Sequence, residues 1–252
     1  MDEALLLRER VDRIETLTLN RPDQLNALSP DLLLMIKAAV EDLATADDVD
    51  CVVIRGAGRA FSAGVDVKAW SQLTAKLPLD FGGKLMAQIE ALPMPVVAAV
   101  HGICFTGGLE LALAADFIIA GESARFRDTH ARYGLQAAWG LTQRLPRLIG
   151  AAAAKDLMFS SRELNGGEAL ALGLVSRCVP DAEFDAAVRA CAQQIATCAP
   201  AAVRWVKDQV DAAADLPLDE ALAYELTQRP ASTGAFRRLA ETGWKGQPAK
   251  AD

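Results

Sequence analysis

Two short stretches of this chain could each aim a backbone N–H at one oxygen. Phe61-Ser62-Ala63-Gly64-Val65-Asp66 and Phe105-Thr106-Gly107-Gly108-Leu109-Glu110 each follow an apolar, strand-like run, bend at glycine and enter a helix-like run. Glycine at such a bend lets the backbone turn sharply and lets a ligand approach the main chain, and the free N–H groups of a helix start point outward with a favourable dipole. Two such N–H groups converging on one oxygen form an oxyanion hole. Taken singly, each stretch is an ordinary strand-to-helix turn. The second carries a carboxylate, Glu110, among apolar neighbours; acids are favoured in the first turn of any helix, so this alone assigns no role.

The remaining reactive residues are few. His101 reads as a core or rim histidine, His130 in RDTHARYG as a hydrogen-bonding loop residue, and Trp139-Gly140 as packing followed by a turn. The five cysteines contain no C-x-x-C pair and there are only two histidines, so a zinc constellation is not expected. Cys191 and Cys198, seven apart, share one helix face. Gly56-Ala57-Gly58 follows a strand, but the third glycine of a dinucleotide fingerprint would fall on Phe61. No G-x-S-x-G elbow is present.

The elements that must position these groups alternate. Val11 to Asn20 reads as a strand closed by Arg21-Pro22-Asp23, and Ser29-Pro30-Asp31 supplies an N-cap, a first-turn proline and a first-turn acid ahead of a helix through LLLMIKAAVEDLATA. Cys51 to Arg55, Val96 to Val100, Phe117 to Ala120 and Val175 to Val179 read as further strands. Continuous apolar strands separated by helical segments predict a largely parallel sheet buried on both faces, the α/β class. Beyond Val179 the signals are helical only: Ala182 to Ala199, Pro200 to Ala214, Pro217 to Gln228 and Ser232 to Gly243.

A chain of 252 residues, 52% hydrophobic and 23% charged, can bury a sizeable core. Its formal net charge of −7 leaves no basic footprint for nucleic acid or for an acidic membrane surface, so a small-molecule partner is expected. The opening MDEALLLRERVDRIE has too short an apolar run for a signal peptide, and the apolar region from Pro95 to Ala120 is broken by His101, Glu110 and Asp116. A soluble protein of the reducing cytoplasm is the expectation.

In order along the chain, LNRPDQLNAL (Leu19 to Leu28), VVIRGAGRAFSAGVDVK (Val52 to Lys68), PVVAAVHGICFTGGLELALAADFIIAGESARF (Pro95 to Phe126), GLTQRLPRLIG (Gly140 to Gly150) and EALALGLVSRCV (Glu168 to Val179) resemble the signatures of the crotonase superfamily, the enoyl-CoA hydratase/isomerase family. The resemblance implies a spiral of ββα units with a C-terminal all-helical region, residues 1–195 forming the core with an acyl-CoA site and residues 196–252 serving assembly into a homo-trimer or hexamer. It implies a coenzyme A thioester as substrate, with no separate cofactor and no metal. The oxyanion donors map to the N–H groups of Val65 and Gly107, and Ala63, Gly64, Asp66, Gly108 and Trp139 are the implied substrate contacts. Glu110 matches the glutamate that activates water for addition to the β-carbon. The family's second glutamate falls, without a gap, on His130, which can also exchange a proton. Hydration of a 2-enoyl-CoA is the implied activity; double-bond isomerisation, dehydration of a hydroxyacyl-CoA, or silent acyl-CoA binding are the alternatives.

Overall fold

A computed structural model describes residues 4–72, 77–78, 80–228 and 240. It is a mixed α/β molecule with two sheets and a helical C-terminal region. The larger sheet has the order β1 (Leu6–Val11), β2 (Ile14–Leu19), β3 (Cys51–Gly56), β5 (Val96–Val100), β7 (Phe117–Gly121), β10 (Arg177–Val179). β1 and β2 form an antiparallel hairpin, and every later pairing in this sheet is parallel.

Side-chain alternation along these strands explains their continuous apolar character. Val52, Ile54, Val96, Ala98 and Val100 face a core shared with helix α1 (Pro30–Leu43), while Cys51, Val53, Val97, Ala99 and Ile119 face a second core completed by helix α8 (Phe184–Ala196). A sheet covered on both faces needs apolar residues at successive positions. Helix α1 starts as its sequence dictates, with Ser29 Oγ accepting the Leu32 N–H at 3.2 Å and Pro30 in the first turn.

The smaller sheet has the order β4 (Ala60–Ser62), β6 (Ile103–Phe105), β8 (Arg125–Arg127), β9 (Glu163–Asn165). Its strands are three residues each, too short to show periodicity, and sequence reading had not resolved them. Each of β4, β6 and β8 directly follows a strand of the larger sheet, and helices α2 (Val67–Ser71) and α4 (Gly107–Leu113) follow β4 and β6. These are repeated ββα units.

One other sequence expectation changes. The strand read as Val11 to Asn20 is two strands: Asp12 and Arg13, at φ 49° and 64°, turn the chain between β1 and β2. The sequence showed no alternation over Leu6–Val11 because five of its six residues lie outside the core. Helices α9 (Pro200–Ala213) and α10 (Leu218–Gln228) follow α8 as expected; the helix read over Ser232 to Gly243 falls, Ala240 apart, outside the described residues. Lys207 Nζ, 2.9 Å from an Asp116 carboxylate oxygen, fastens α9 to the sheet end. Helices α3 (Phe81–Glu90), α5 (Leu141–Ile149), α6 (Ala151–Ser160) and α7 (Gly166–Ala171) complete the fold. Among the described residues no helix is long and apolar enough to cross a membrane.

Candidate active site

Strands β4 and β6 pair in parallel with Ser62 opposite Cys104, so the two glycine turns that follow them emerge side by side. Gly64 has φ 96°, and a Cβ there would lie 2.1 Å from Thr106 Oγ1 and 3.3 Å from Gly107 N. Only hydrogen fits between the turns. Thr106 sits at φ 44°, ψ −113°, a strained conformation for a β-branched residue, of a kind that costs about 1–3 kcal/mol and concentrates at functional sites. It is held by its N–H on the Arg127 carbonyl and by its carbonyl, which accepts the Glu110 N–H, both at 2.9 Å. The first turn is pinned by Asn26, whose side chain donates to the Ala57 and Ala60 carbonyls at 2.8 and 2.7 Å.

Among the described residues, neither the Val65 N–H nor the Gly107 N–H donates to a protein acceptor, whereas their neighbours are spent: Ala63 N–H on Leu25 O, Gly64 N–H on Ser62 Oγ, Asp66 N–H on Leu28 O. A Cβ on Gly107 would lie 3.4 Å from Val65 N and 3.2 Å from Val65 Cγ2, so the two free donors border one space. Asp66 turns away from that space. Its carboxylate caps α2 through the Ala69 N–H at 3.0 Å and binds Arg21 at 2.8 Å. Gly108 also faces inward, where a Cβ would meet Ser62 O at 2.6 Å. Both residues therefore build the turns.

Glu110 lies in the first turn of α4, every residue of which is buried, and is itself 2% exposed. Its Oε1 accepts the N–H groups of Trp139 at 2.8 Å and Leu141 at 3.3 Å. Its Oε2 stands 4.0 Å from His130 Nε2. Burial raises the Glu110 pKa above the usual carboxylate value, against the pull of those N–H groups and of His130. The other face of His130 is held by Asp128: Oδ1 lies 2.6 Å from His130 Nδ1 and accepts the His130 N–H at 3.1 Å. Burial disfavours the imidazolium, but hydrogen bonding to Asp128 and the charges of Asp128 and Glu110 outweigh it and raise the His130 pKa.

Trp139 closes one side of the site. A Cβ on Gly107 would lie 3.1 Å from its Cζ3, and one on Gly82 of α3 would lie 2.1 Å from its Nε1, so the indole is clasped between two glycines. A cleft of about 550 Å³ flanks it, lined by Gly83, Ala138, Gln143 and Arg144 among others. A second cleft, of about 470 Å³ between β1–β3 and α8, contains none of these groups. His101, with Nε2 2.8 Å from Gly58 O, also lies apart.

The structure thus brings together Val65, Gly107, Glu110, His130 and Trp139. Sequence reading missed Asp128. Its signal was the D-x-H spacing, which lets a carboxylate fold back onto the imidazole two residues later. The assembly offers two N–H donors for an oxygen, with a buried carboxylate and a histidine beside them to move protons.

Known proteins share this architecture. A family model described as enoyl-CoA hydratase/isomerase matches residues 9–235. A crotonyl-CoA hydratase of Syntrophomonas wolfei is 35% identical over 224 residues, 87% of this chain and 86% of the relative. The crystal structure of an enoyl-CoA hydratase from Bacillus anthracis superposes with a TM-score of 0.85 at 31% identity, covering 95% of this chain and 92% of that one. A monofunctional enoyl-CoA isomerase from M. smegmatis gives 0.74 at 32% identity, covering 86% and 98%.

Proposed function

Because the chain belongs to the enoyl-CoA hydratase/isomerase family, we propose that it adds water across the double bond of a 2-enoyl-CoA thioester. The observation that carries this reading is the convergence of Glu110 and His130, 4.0 Å apart, in the same site as the unengaged N–H groups of Val65 and Gly107. The thioester oxygen accepts those two N–H groups, which polarises the conjugated system. Each donor of this kind contributes about 3 kcal/mol as the oxygen gains charge. The Glu110 carboxylate takes a proton from water as the water oxygen bonds to the β-carbon, and the π electrons move onto the thioester oxygen. His130 then donates a proton to the α-carbon, and the thioester carbonyl reforms. Coenzyme A enters as part of the substrate, and no separate cofactor is required by this chemistry.

Ala63 and Gly64 shape the oxyanion turn, and Trp139 walls the acyl side. Residues 1–195 constitute the catalytic core and residues 196–252 the assembly region of a homo-trimer or hexamer. Five free thiols fit a reducing, cytoplasmic location.

A panel of 2-enoyl-CoA thioesters tests the reading through loss of conjugated-thioester absorbance and identification of a 3-hydroxyacyl-CoA. Because Glu110 can itself move a proton between carbons, double-bond isomerisation is the competing chemistry, and the same assay shows it as a positional isomer with no added water.

A further inference from the structure

We propose that Asp128 is a positioning residue that makes His130 the proton donor of this site, fixing the ring so that Nδ1–H is bound and Nε2–H faces the space beside Glu110. The inference rests on the hydratase reading and names how its second acid–base group is prepared.

The geometry is specific. One oxygen, Asp128 Oδ1, receives both the His130 Nδ1–H at 2.6 Å and the His130 backbone N–H at 3.1 Å, so ring and main chain are held together. Asp128 is 3% exposed, and among the described residues His130 is the only hydrogen-bond partner of its carboxylate. A carboxylate so deeply buried is costly unless paired, so the fold retains it for this contact. The ring itself is well covered, with 12% of the His130 side chain exposed.

The charges around His130 act in one direction. Asp128 faces Nδ1 and Glu110, from α4, faces Nε2. Helix α6, which packs near the turn after His130, carries Lys155 and Asp156, both exposed, and Asp156 is bound by Arg162 at 2.5 Å. On the same segment, Arg127 is engaged with the Ser161 carbonyl at 2.6 Å and Arg132 is exposed. Among the described residues, two carboxylates and no facing cation favour the imidazolium, in keeping with the raised His130 pKa.

The proton account closes. The imidazolium gives its Nε2 proton to the α-carbon of the enolate and becomes neutral, keeping Nδ1–H on Asp128. Glu110 then holds the proton it took from water, and passes it to Nε2 through a water that bridges the 4.0 Å gap, which restores both groups. Without Asp128 the neutral ring could hold its proton on Nδ1 or on Nε2, and the donor would be lost at lower pH.

The protein has only two histidines, His101 and His130, so the ring Cε1–H signals in a proton–carbon NMR titration are assignable, the His130 signal being the one absent from His130→Ala. The expected result is that Asp128→Asn lowers the His130 midpoint by on the order of one pH unit while the His101 midpoint stays put. With an active thioester, Asp128→Asn should lower kcat roughly 10-fold with KM within about twofold, and shift the alkaline limb of kcat to lower pH. Asp128→Glu should restore part of both. If Asp128→Asn does not fold, Asp128→Ser carries the same readings. A His130 midpoint unchanged by loss of the Asp128 charge overturns the inference. The NMR titration needs no turnover, so a wild type inactive on every enoyl-CoA would refute the hydratase reading while leaving this contact measurable.

Discussion

Glu110 Oε2 and His130 Nε2 face each other across 4.0 Å, one on the first turn of α4 and the other three residues beyond β8, 20 positions along the chain. That gap is too long for a direct hydrogen bond and suits two groups that act on opposite ends of one reacting bond.

The oxyanion assignment predicts the behaviour of Gly107→Ala. A methyl there comes within 3.1 Å of the Trp139 ring and 3.4 Å of Val65 N, crowding the space that the thioester oxygen must enter. Turnover should fall by a factor on the order of 10² with the thermal midpoint changed by only a few degrees, checked by steady-state kinetics and calorimetry. Wild-type kinetics in this variant would remove Gly107 from the site.

His130 should titrate visibly in the rate. Glu110 acts as a carboxylate, so activity rises with pH through its raised pKa, above the ordinary 4.5. His130 acts as an imidazolium, so activity falls as pH passes its raised pKa, above the ordinary 6.5. The resulting bell in kcat/KM reports the pair rather than either residue alone. His130→Ala should lose a factor on the order of 10². His130→Glu should retain much more and move the alkaline limb to lower pH. An alanine variant with the wild-type rate and profile would leave Glu110 as the sole acid–base group.

Much of this architecture was legible in the sequence, for physical reasons. Strands β3, β5 and β7 are buried on both faces, so their apolar runs were continuous; Ser29-Pro30 announced α1 because a cap and a fixed φ are local chemistry. Glu110 stood out as a charge among buried neighbours. The smaller sheet was hidden because its strands are shorter than one alternation pattern, and pairing partners such as Ser62 and Cys104 are far apart in sequence. The family resemblance implied a ligand contact at Asp66, yet its carboxylate is taken by Arg21, 45 positions earlier. Asp128 escaped notice because a loop fold that returns a carboxylate to Nδ1 leaves no periodic trace.

The C-terminal helices make a prediction about assembly. Val206, Val210, Leu218, Leu222 and Leu226 on α9 and α10 are 53–76% exposed in the single chain. Apolar surface of this kind calls for a partner face. Sedimentation should show a trimer or hexamer, and a clean monomer at micromolar concentration would contradict the assembly role of residues 196–252.

The central claim is that Glu110 activates water for addition to the β-carbon, and oxygen-18 water tests it most directly. Glu110→Gln is nearly isosteric, and its side-chain carbonyl can still accept the Trp139 and Leu141 N–H groups, so the fold should hold. With the 2-enoyl-CoA that the wild type consumes, the account predicts a 3-hydroxyacyl-CoA carrying the label on the β-carbon oxygen, formed about 10²- to 10⁴-fold more slowly by Glu110→Gln. Unlabelled product with a displaced double bond, or labelled product formed at the wild-type rate by the variant, would contradict it.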